Sequence, residues 1–321
     1  MTEWLQAVVD ERVLFPTLLQ LRAMVLPFSP RFNPNVVSER DGNTFLHILC
    51  EAIESCWENT ADNDVDIHDV AHPNHELAEQ IEFMLSVPNV DVNIRNRTDG
   101  RGIIHILKKA RPVLKLLLEF EGTDVDLTCD SAIYGRQTAF LGLCRDVRGD
   151  VPIEAIAMFL EAGCNVNFSP YNNPALNVLV TIRNNLYTLH PVNLRSPQRN
   201  EEHMEVRRRT DERIFPVIEL LLRYGADPNV RAYPNQETIF GKVVVYRWPL
   251  NMVALFLEYG GNPLLPHTPN TSRPRIIDLA ENSPQLQAWM LERRTTVIKS
   301  LLRRLPMDAR RRVVQESLDY S

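Results

Sequence analysis

Apolar runs that end in a glycine turn recur along the chain, and the clearest one lies at residues 217–229. Valine, isoleucine or leucine fills five of its first six positions, before a glycine, an aspartate and an asparagine close it. A nearly continuous apolar run predicts a helix packed on neighbours at both sides, because a helix facing water keeps a wide polar face. Gly163, Gly225 and Gly260 are placed to end such helices in the left-handed conformation, and the following Asp or Asn can close a turn.

The closing string occurs five times, at intervals that indicate stacked structural units. Its last residues are Asn93, Asp126, Asn167, Asn229 and Leu264, so the intervals are 33, 41, 62 and 35 residues. Two intervals lie near 33 residues and two are longer. Self-similarity of this length predicts a solenoid, in which each unit buries its apolar face against the next. The longer intervals then mark repeats that carry insertions.

The start of a unit is best preserved at residues 41–47, where Thr-Phe-Leu-His follows an Asp-Gly-Asn turn. This opening and the Leu-Leu-Leu-x-x-Gly-Ala-Asp-x-Asn of residues 220–229 resemble the ankyrin repeat, whose units begin with Thr-Pro-Leu-His. The resemblance covers residues 38–292 and implies an all-α fold, an ankyrin-repeat solenoid of about six stacked helix pairs with helical caps at both ends. It also implies that His47 and His105 bond to the backbone near the turn.

Three segments follow from this interpretation. Residues 1–37 form an N-terminal helical cap and linker, residues 38–292 form the repeats, and residues 293–321 form basic amphipathic C-terminal helices. Insertions at about 58–76 and 186–213 fall between the first and second helices of their repeats, so we expect both to protrude from one edge, opposite the turn tips. The length of these insertions favours disorder.

Composition indicates an intracellular protein. No apolar run reaches the ~18 residues of a membrane span, and residues 1–4 lack the basic start and apolar stretch of a secretory signal. The five cysteines are odd in number and show no pair of C-x2-C spacings, so we expect small buried hydrophobes in a reducing compartment. We therefore expect a cytoplasmic or nuclear protein without a membrane partner.

Charge argues against nucleic acid as the partner. The formal net charge is −6, and residues 293–321 carry eight Lys or Arg against three Asp or Glu, which leaves −11 for residues 1–292. An acidic array is a poor match for nucleic acid, because a basic stripe supplies most of the affinity in such complexes. We expect a monomer that binds protein.

Residues 68–76 hold the one cluster that suggests catalysis. His68, His72 and His75 lie within eight residues, and such a set could bind zinc. The zincin pattern His-Glu-x-x-His is incomplete, because Glu79 stands at the second ligand position. No phosphate-binding glycine loop or nucleophile elbow occurs in the sequence. We predict that the protein is not an enzyme and holds no cofactor or metal, with a zinc-dependent enzyme as the distant alternative.

The C-terminal tail offers a second alternative. Leu305-Pro306-Met307-Asp308 with Val313 is similar to the opening of an F-box, and the tail stands where ankyrin proteins of the SOCS-box type carry their ligase-recruiting helices. The resemblance implies a substrate-recognition adaptor of a cullin-type ubiquitin ligase, recruited through Leu305, Pro306, Asp308 and Val313. A solvated cap and a nuclear-targeting signal are the other interpretations of the arginine-rich tail.

The turn tips are the predicted partner-binding surface. The ankyrin resemblance implies that a protein partner meets the tips and the inner faces of the first helices. Tip residues of the types enriched at binding hot spots are Arg97, Tyr134, Tyr171, Arg231 and Tyr233. These side chains could equally pack on the neighbouring turn. We therefore predict a non-enzymatic scaffold or adaptor for protein–protein interaction. The fold alone does not identify its partner.

Overall fold

Six pairs of helical segments make up the part of the chain that the computed structural model describes. That part comprises residues 22, 33–57, 75–131, 135–146, 153–168, 173–189, 197–232, 235–268, 275–280 and 284–304. The chain divides into two units, residues 1–171 and 172–321. The boundary falls between the third and fourth pairs, so each unit is a short stack of three repeats.

The first unit packs three inner segments against three outer helices. In chain order its pairs are α1 (Phe45–Trp57) with α2 (His75–Leu85), a 3₁₀ helix (Ile103–His105) with α3 (Arg111–Glu119), and α4 (Ala139–Arg145) with α5 (Ile153–Glu161). Successive inner segments contact one another, and so do successive outer helices. This two-layer stack buries apolar faces that no single pair could cover alone.

A β-hairpin forms the tip ahead of α4. Strand β1 (Thr128–Ser131) pairs antiparallel with β2 (Gly135–Thr138), with Thr128 opposite Thr138. Thr138 also caps α4, because its side-chain oxygen accepts a hydrogen bond from Leu141 N at 3.1 Å. The threonine at the start of this repeat is therefore a helix cap at the base of the hairpin.

The second unit follows the same plan, with longer helices in its first and last pairs. In chain order its pairs are α6 (Ala175–Leu189) with α7 (Pro197–Arg223), α8 (Ile239–Val245) with α9 (Leu250–Glu258), and a 3₁₀ helix (Ile276–Ala280) with α10 (Pro284–Arg304). A short hairpin of β3 (Arg231–Ala232) and β4 (Glu237–Thr238) precedes α8. The predicted all-α fold of stacked helix pairs is therefore confirmed in each unit.

The predicted insertion at 186–213 requires a correction. The structure continues α6 to Leu189 and begins α7 at Pro197, so most of this segment is helical and not an irregular, disordered loop. Proline suits the first turn of a helix, and Arg209 pairs with Glu205, one turn before it, at 2.6 Å. The prolines and charges of this segment are thus residues of a helix start and a helix surface. Residues 58–74 of the first predicted insertion lie outside the described residues.

A buried arginine joins the N-terminal part of α7, residues 197–213, which we call the extension, to the rest of the second unit. Arg183 of α6 bonds Asp211 of α7 twice, from Nε to Oδ1 at 2.7 Å and from Nη2 to Oδ2 at 3.2 Å. Its guanidinium carbon lies 4.3 Å from the ring centroid of Trp248, which stands between α8 and α9. Trp248 Nε1 in turn donates to Asn184 Oδ1 at 2.8 Å. Charge and aromatic contacts therefore anchor the extension.

The core of each unit lies between its inner and outer layers. Phe45 on α1 and Phe159 on α5 are fully buried in the first unit. In the second unit Phe240 and Phe256 are also fully buried, and their rings stack with centroids 6.0 Å apart. Burial of one such side chain contributes about 1.5–3 kcal/mol. The apolar runs of the sequence are therefore structural.

The predicted glycine turns are confirmed. Gly122, Gly163, Gly225 and Gly260 have φ between 84° and 93°, in the left-handed region that residues with a Cβ avoid. Asn89 takes the corresponding place in the first repeat, with φ of 64°, and asparagine is the usual substitute there. Each of the five residues stands four positions before the end of its closing string.

Replacing Gly225 with valine should lower the free energy of unfolding by about 1–2 kcal/mol, because a left-handed φ strains a β-branched residue. No neighbouring heavy atom lies within 4 Å of a Cβ added at this position, so the loss is conformational. Gly225→Asn, which copies Asn89, should cost less than half as much. Urea denaturation followed by circular dichroism measures both, and equal losses in the two variants would contradict this origin.

Helix α10 contains the boundary that the sequence predicted between residues 292 and 293. The helix is continuous from Pro284 to Arg304, so the boundary does not separate two elements. Met290 is fully buried, and Arg293 forms an ion pair with Glu258 of α9. The first part of the predicted tail is therefore the outer helix of the sixth pair.

Both predicted caps lie largely outside the described residues. Of the N-terminal cap the structure describes Arg22 and residues 33–37, and of the C-terminal tail it describes residues 293–304. The two caps stay predictions. None of the helices in the described ranges is both long and apolar enough to cross a bilayer.

Candidate interaction surface

The loops between repeats carry a series of asparagine and aspartate side chains that we call the loop ladder. Within one loop, Asp91 Oδ1 accepts a hydrogen bond from Asn93 N at 2.8 Å and closes the turn. Asn93 then reaches the next loop, where its Nδ2 donates to Gly122 O and its Oδ1 accepts from Asp124 N, both at 2.8 Å. One side chain closes the turn and the next binds the following repeat.

The loop ladder is present in both units. In the first unit, Asp126 Oδ1 accepts from Asn165 N at 3.1 Å. In the second unit, Asn229 Nδ2 donates to Gly260 O at 3.0 Å, and Asn229 Oδ1 accepts from Asn262 N at 2.8 Å. Three of the closing residues, Asn93, Asp126 and Asn229, therefore connect successive repeats.

The sequence prediction missed the first member of the loop ladder. Asn35 lies in the segment predicted as a linker, yet its Nδ2 donates to Asn89 O and its Oδ1 accepts from Asp91 N, both at 2.8 Å. A signal was available, because Asn-Pro-Asn at residues 33–35 repeats the Asp-Pro-Asn of residues 227–229. The loop ladder therefore begins before the first predicted repeat.

Asn93→Ala should lower the free energy of unfolding by about 1–2 kcal/mol, because it removes two bonds between repeats. Asp126→Asn is the matched control. Partial burial raises the pKa of Asp126, so a neutral amide that keeps the bond from Asn165 N should hold or raise stability. Thermal melts compare the two variants, and an Asn93→Ala protein as stable as the parent would show that the loop ladder does not hold the repeats together.

The two opening histidines bond as the ankyrin resemblance implied. His47 Nδ1 accepts from Thr44 N, and its Nε2 donates to Arg101 O of the next repeat, each at 3.2 Å. His105 Nδ1 accepts from Gly102 N, also at 3.2 Å. Burial lowers the pKa of His47 and brings the pKa of His105 to about 4, so both rings are neutral at pH 7. Both histidines hold the start of a repeat in place.

Successive tips of the first unit are joined by backbone hydrogen bonds. Arg97 N donates to Asp41 O in the preceding tip, and Asp130 N donates to Asp99 O, both at 2.7 Å. The spacing between these tips is therefore set by the main chain. Side chains that stand on them are presented by an ordered backbone.

Two of the five predicted contact residues are described. Arg97 is exposed, and its Nη1 donates to Glu39 O at 3.4 Å. Arg231 is half-buried, and its guanidinium donates to Gln236 O at 3.2 Å and to Pro266 O at 3.1 Å. Arg97 therefore lies at the surface, whereas Arg231 braces its hairpin against the following repeat. The remaining predicted site residues, Tyr134, Tyr171, Tyr233, Leu305, Pro306, Asp308 and Val313, lie outside the described residues.

The second repeat carries a basic stretch. Net charges summed over longer segments do not show it. Residues 95–115 hold seven Lys or Arg and one Asp, a local charge of +6, which leaves −12 for the rest of the chain. Arg95, Arg97 and Arg101 are exposed. A charge count in windows of about twenty residues would have found this stretch. It places positive charge on one repeat of an otherwise acidic chain.

A surface cavity lies beside the basic stretch in the first unit. It has a volume of about 170 Å³ and lies between the 3₁₀ helix at Ile103–His105, the β1–β2 hairpin and α4. Arg101, His105, Lys108, Gly142 and Arg145 are among the residues that line it. The cavity therefore combines cationic side chains with a buried imidazole.

The histidine cluster at residues 68–75 is described at one position. His75 begins α2, and its Nε2 lies 3.6 Å from Glu79 Oε1. His68 and His72 lie outside the described residues. In the described ranges no group of three or more His, Cys, Asp or Glu side chains is placed to hold a metal ion.

The cysteines differ from expectation at one position. Cys50, Cys129, Cys144 and Cys164 are buried, whereas Cys56 is exposed. Burial raises the pKa of the Cys164 thiol to about 12, so this thiol stays protonated. The buried four act as small apolar core residues, as predicted.

Comparison with known proteins gives a distant likeness among solved structures. No protein-family model matches the chain, and no curated protein matches it. Among solved structures, the chain is similar to the crystal structure of the ankyrin repeat domain of Bcl-3, described as a unique member of the IkappaB protein family. The sequence identity is 17%, the TM-score is 0.44, and the likeness covers 68% of this chain and 72% of that chain. The fold described above therefore rests on the helix pairs, the glycine turns and the loop ladder.

Proposed function

We propose that the protein is a non-enzymatic scaffold that binds a protein partner through its turn tips and the inner faces of its first helices. The observation that carries this proposal is the backbone bonding between tips of the first unit, at 2.7 Å, beneath exposed arginines. A surface that is ordered before binding loses less conformational entropy on association. Arginine is also over-represented among residues that dominate binding energy.

The arginines of the second repeat are the strongest contact candidates. Arg95, Arg97 and Arg101 are exposed, and the bond from Arg97 Nη1 to Glu39 O is long at 3.4 Å. A bond of that length is weak, so the guanidinium can exchange it for an acceptor on the partner. Arg231 stabilises its tip through hydrogen bonds to the backbone. The proposed surface also includes Tyr134, Tyr171 and Tyr233, which are assigned to it from the sequence alone.

The chain's charge and composition support a further set of proposals about its setting. The net charge of −6 and the confinement of the positive charge to short stretches favour a protein partner over nucleic acid. We propose a monomer that acts in the cytoplasm or nucleus, without a cofactor and away from membranes.

Affinity purification of the tagged full chain, followed by reconstitution of the captured complex from purified components, tests the scaffold proposal. Arg97→Glu should weaken the reconstituted complex about tenfold, because it replaces a contact cation with an anion. Lys115→Glu on α3 is the matched control, since its side chain is 63% exposed on the outer layer, and it should leave the affinity unchanged. A chain that forms no reconstituted complex would overturn the scaffold proposal.

The tail supports a second candidate, a substrate-recognition adaptor of a cullin-type ubiquitin ligase. The F-box-like residues 305–313 favour it. Because α10 continues to Arg304 and pairs with α9 through Arg293, the deletion that tests this candidate removes residues 305–321 and keeps the helix. We expect the full chain to recover cullin subunits and the shortened chain to lose them while it keeps its protein partner. Recovery of no cullin subunit by the full chain would end this candidate.

The distant alternative, a zinc-dependent enzyme, rests on His68, His72 and His75. Metal analysis of the purified full chain separates it from the scaffold. Zinc in a ratio near one per chain would support it, and a substoichiometric trace would end it.

A further inference from the structure

The cavity beside the second repeat exists because α4 presents two small residues to it. Ala139 and Gly142 are three residues apart, so they lie on one face of the helix, and both line the cavity. A Cβ added at Gly142 would find its nearest neighbour, Gln137 Nε2, at 4.0 Å. The space of about 170 Å³ is therefore open to a group from outside the chain.

Three cationic side chains line the cavity. Lys108 Nζ lies 2.6 Å from Asp146 Oδ2, and Arg101 Nε lies 2.8 Å from Asp99 Oδ2. Arg145 is the third cation, its Nη1 donates to Gln137 Oε1, and the Asp146 carboxylate also lines the cavity. The paired side chains are between 28% and 49% exposed, and ion pairs that are partly open to water contribute little stability. A carboxylate from another molecule can therefore share or replace these contacts.

A buried imidazole forms part of the wall of the same cavity. His105 is 7% exposed, and its Nδ1 accepts from Gly102 N. The ring also interacts with the backbone of Leu127, and its Nε2 is buried. Burial brings the pKa of His105 to about 4, so the ring is neutral at pH 7. His105 therefore shapes the cavity, and the cationic side chains supply its charge.

We propose that the cavity receives the carboxylate of an aspartate or glutamate side chain in an acidic segment of the protein partner. The inference rests on the proposed scaffold function and names the chemistry that the first unit recognises. Lys108 and Arg145 supply the positive charge, and the neutral His105 ring forms part of the cavity wall. Hydrogen bonds between cationic donors and carboxylates are among the strongest that proteins make.

A protein segment fits this site better than nucleic acid does. Residues 95–115 carry a charge of +6 and residues 293–321 carry +5, whereas the rest of the chain sums to −17. Nucleic acid needs a basic stripe that follows its phosphates, and it is repelled by a surrounding acidic surface. A single acidic side chain, by contrast, contacts only the cavity and its rim.

Selection of random twelve-residue peptides displayed on phage, with the full chain as bait, tests the inference. The selected peptides should share an Asp or Glu at one position. In fluorescence anisotropy, a fluorescein-labelled selected peptide should bind about tenfold more weakly when that residue becomes Asn or Gln. Gly142→Leu, which fills the cavity, and Arg145→Glu, which reverses a charge, should weaken binding as much. Lys115→Glu, the same charge reversal on α3, should leave the affinity unchanged.

Circular dichroism establishes first that the cavity variants are folded, and the two different substitutions keep the test valid if one of them unfolds. Selected peptides without a shared acidic residue, or with affinities that neither variant changes, would overturn the inference and leave the scaffold proposal standing. Binding of a fluorescein-labelled RNA oligonucleotide that depends on Arg145 would overturn it in favour of nucleic acid. Selection of no peptide would overturn it too, and the scaffold proposal falls with it if the full chain also forms no reconstituted complex.

Discussion

Replacing Arg183 with alanine should lower the free energy of unfolding by about 3–5 kcal/mol, the loss expected when one member of a buried ion pair is removed. The Arg183 side chain is 3% exposed, and the variant loses both bonds to Asp211 and the stacking on Trp248. Asp211 is then left with its charge in a site that is 17% exposed. Urea denaturation followed by tryptophan fluorescence measures the loss, because Trp248 lies in the affected cluster.

Two further variants separate charge from geometry in this cluster. Arg183→Lys keeps the charge but loses the paired bonds and the planar stacking, so we expect about half of the loss seen with alanine. Arg209→Ala is the matched control on α7, because its side chain is 71% exposed and pairs with Glu205 at the surface. Its loss should stay below about 0.5 kcal/mol. Similar losses in Arg183→Ala and Arg209→Ala would contradict the anchoring role of Arg183.

Acidification should destabilise the first unit through His105. Burial lowers the pKa of this ring from 6.5 to about 4 in the folded state, so between these values the unfolded chain binds a proton that the folded chain does not. The stabilisation is therefore fully present above pH 6.5 and is lost as the pH falls toward 4. At about 1.4 kcal/mol for each pKa unit, the total is about 3 kcal/mol, of which about 2 kcal/mol is lost by pH 5. Urea midpoints at pH 7.5, 6 and 5 measure this loss.

His105→Gln is the control for the pH experiment, because it removes the titrating ring. Between pH 7.5 and 5 its urea midpoint should fall less than that of the parent protein, even if its midpoint at pH 7.5 is lower. His47 acts in the same direction, since burial lowers its pKa as well. The same pH slope in the parent and in His105→Gln would exclude His105 as a source of acid sensitivity.

The sequence predicted the turns and the outer helices because their causes are local. The left-handed φ of Gly225 needs a residue without a Cβ, and the apolar run before it needs burial wherever it packs. Asn89 marks the limit of this reasoning. It adopts the same conformation with a different side chain, so a search for glycine passes over it.

Residues 197–213 show what local composition leaves open. Prolines and charges suit an exposed helix as well as a loop. Whether the segment is a helix or a loop depends on Arg183 and Trp248, which lie 28 and 37 positions from Asp211 in the sequence. Arg183 bonds Asp211 and contacts the Trp248 ring. The composition of the segment alone therefore does not predict these contacts.

The tips stay a prediction as the partner surface, and the sequence did not show how their side chains differ. Residue type marked Arg97 and Arg231 alike, and the difference between them comes from a bond of Arg231 to Pro266 O, 35 positions away. The cavity likewise combines residues 101–108 with Gly142, which neighbour each other in the stack and not in the sequence. Contacts between repeats therefore decide which tip side chains are available to a partner.

The loop ladder makes the spacing of neighbouring repeats independent of their length. The bonded loop residues stand 31 positions apart for Asn93 and Asp124, 39 for Asp126 and Asn165, 33 for Asn229 and Asn262, and 56 for Asn35 and Asp91. Their bonds nevertheless measure 2.8–3.1 Å in every case. Codons gained or lost between the two helices of a repeat leave this register unchanged. During evolution such a chain can therefore lengthen individual repeats while the neighbouring loops stay joined.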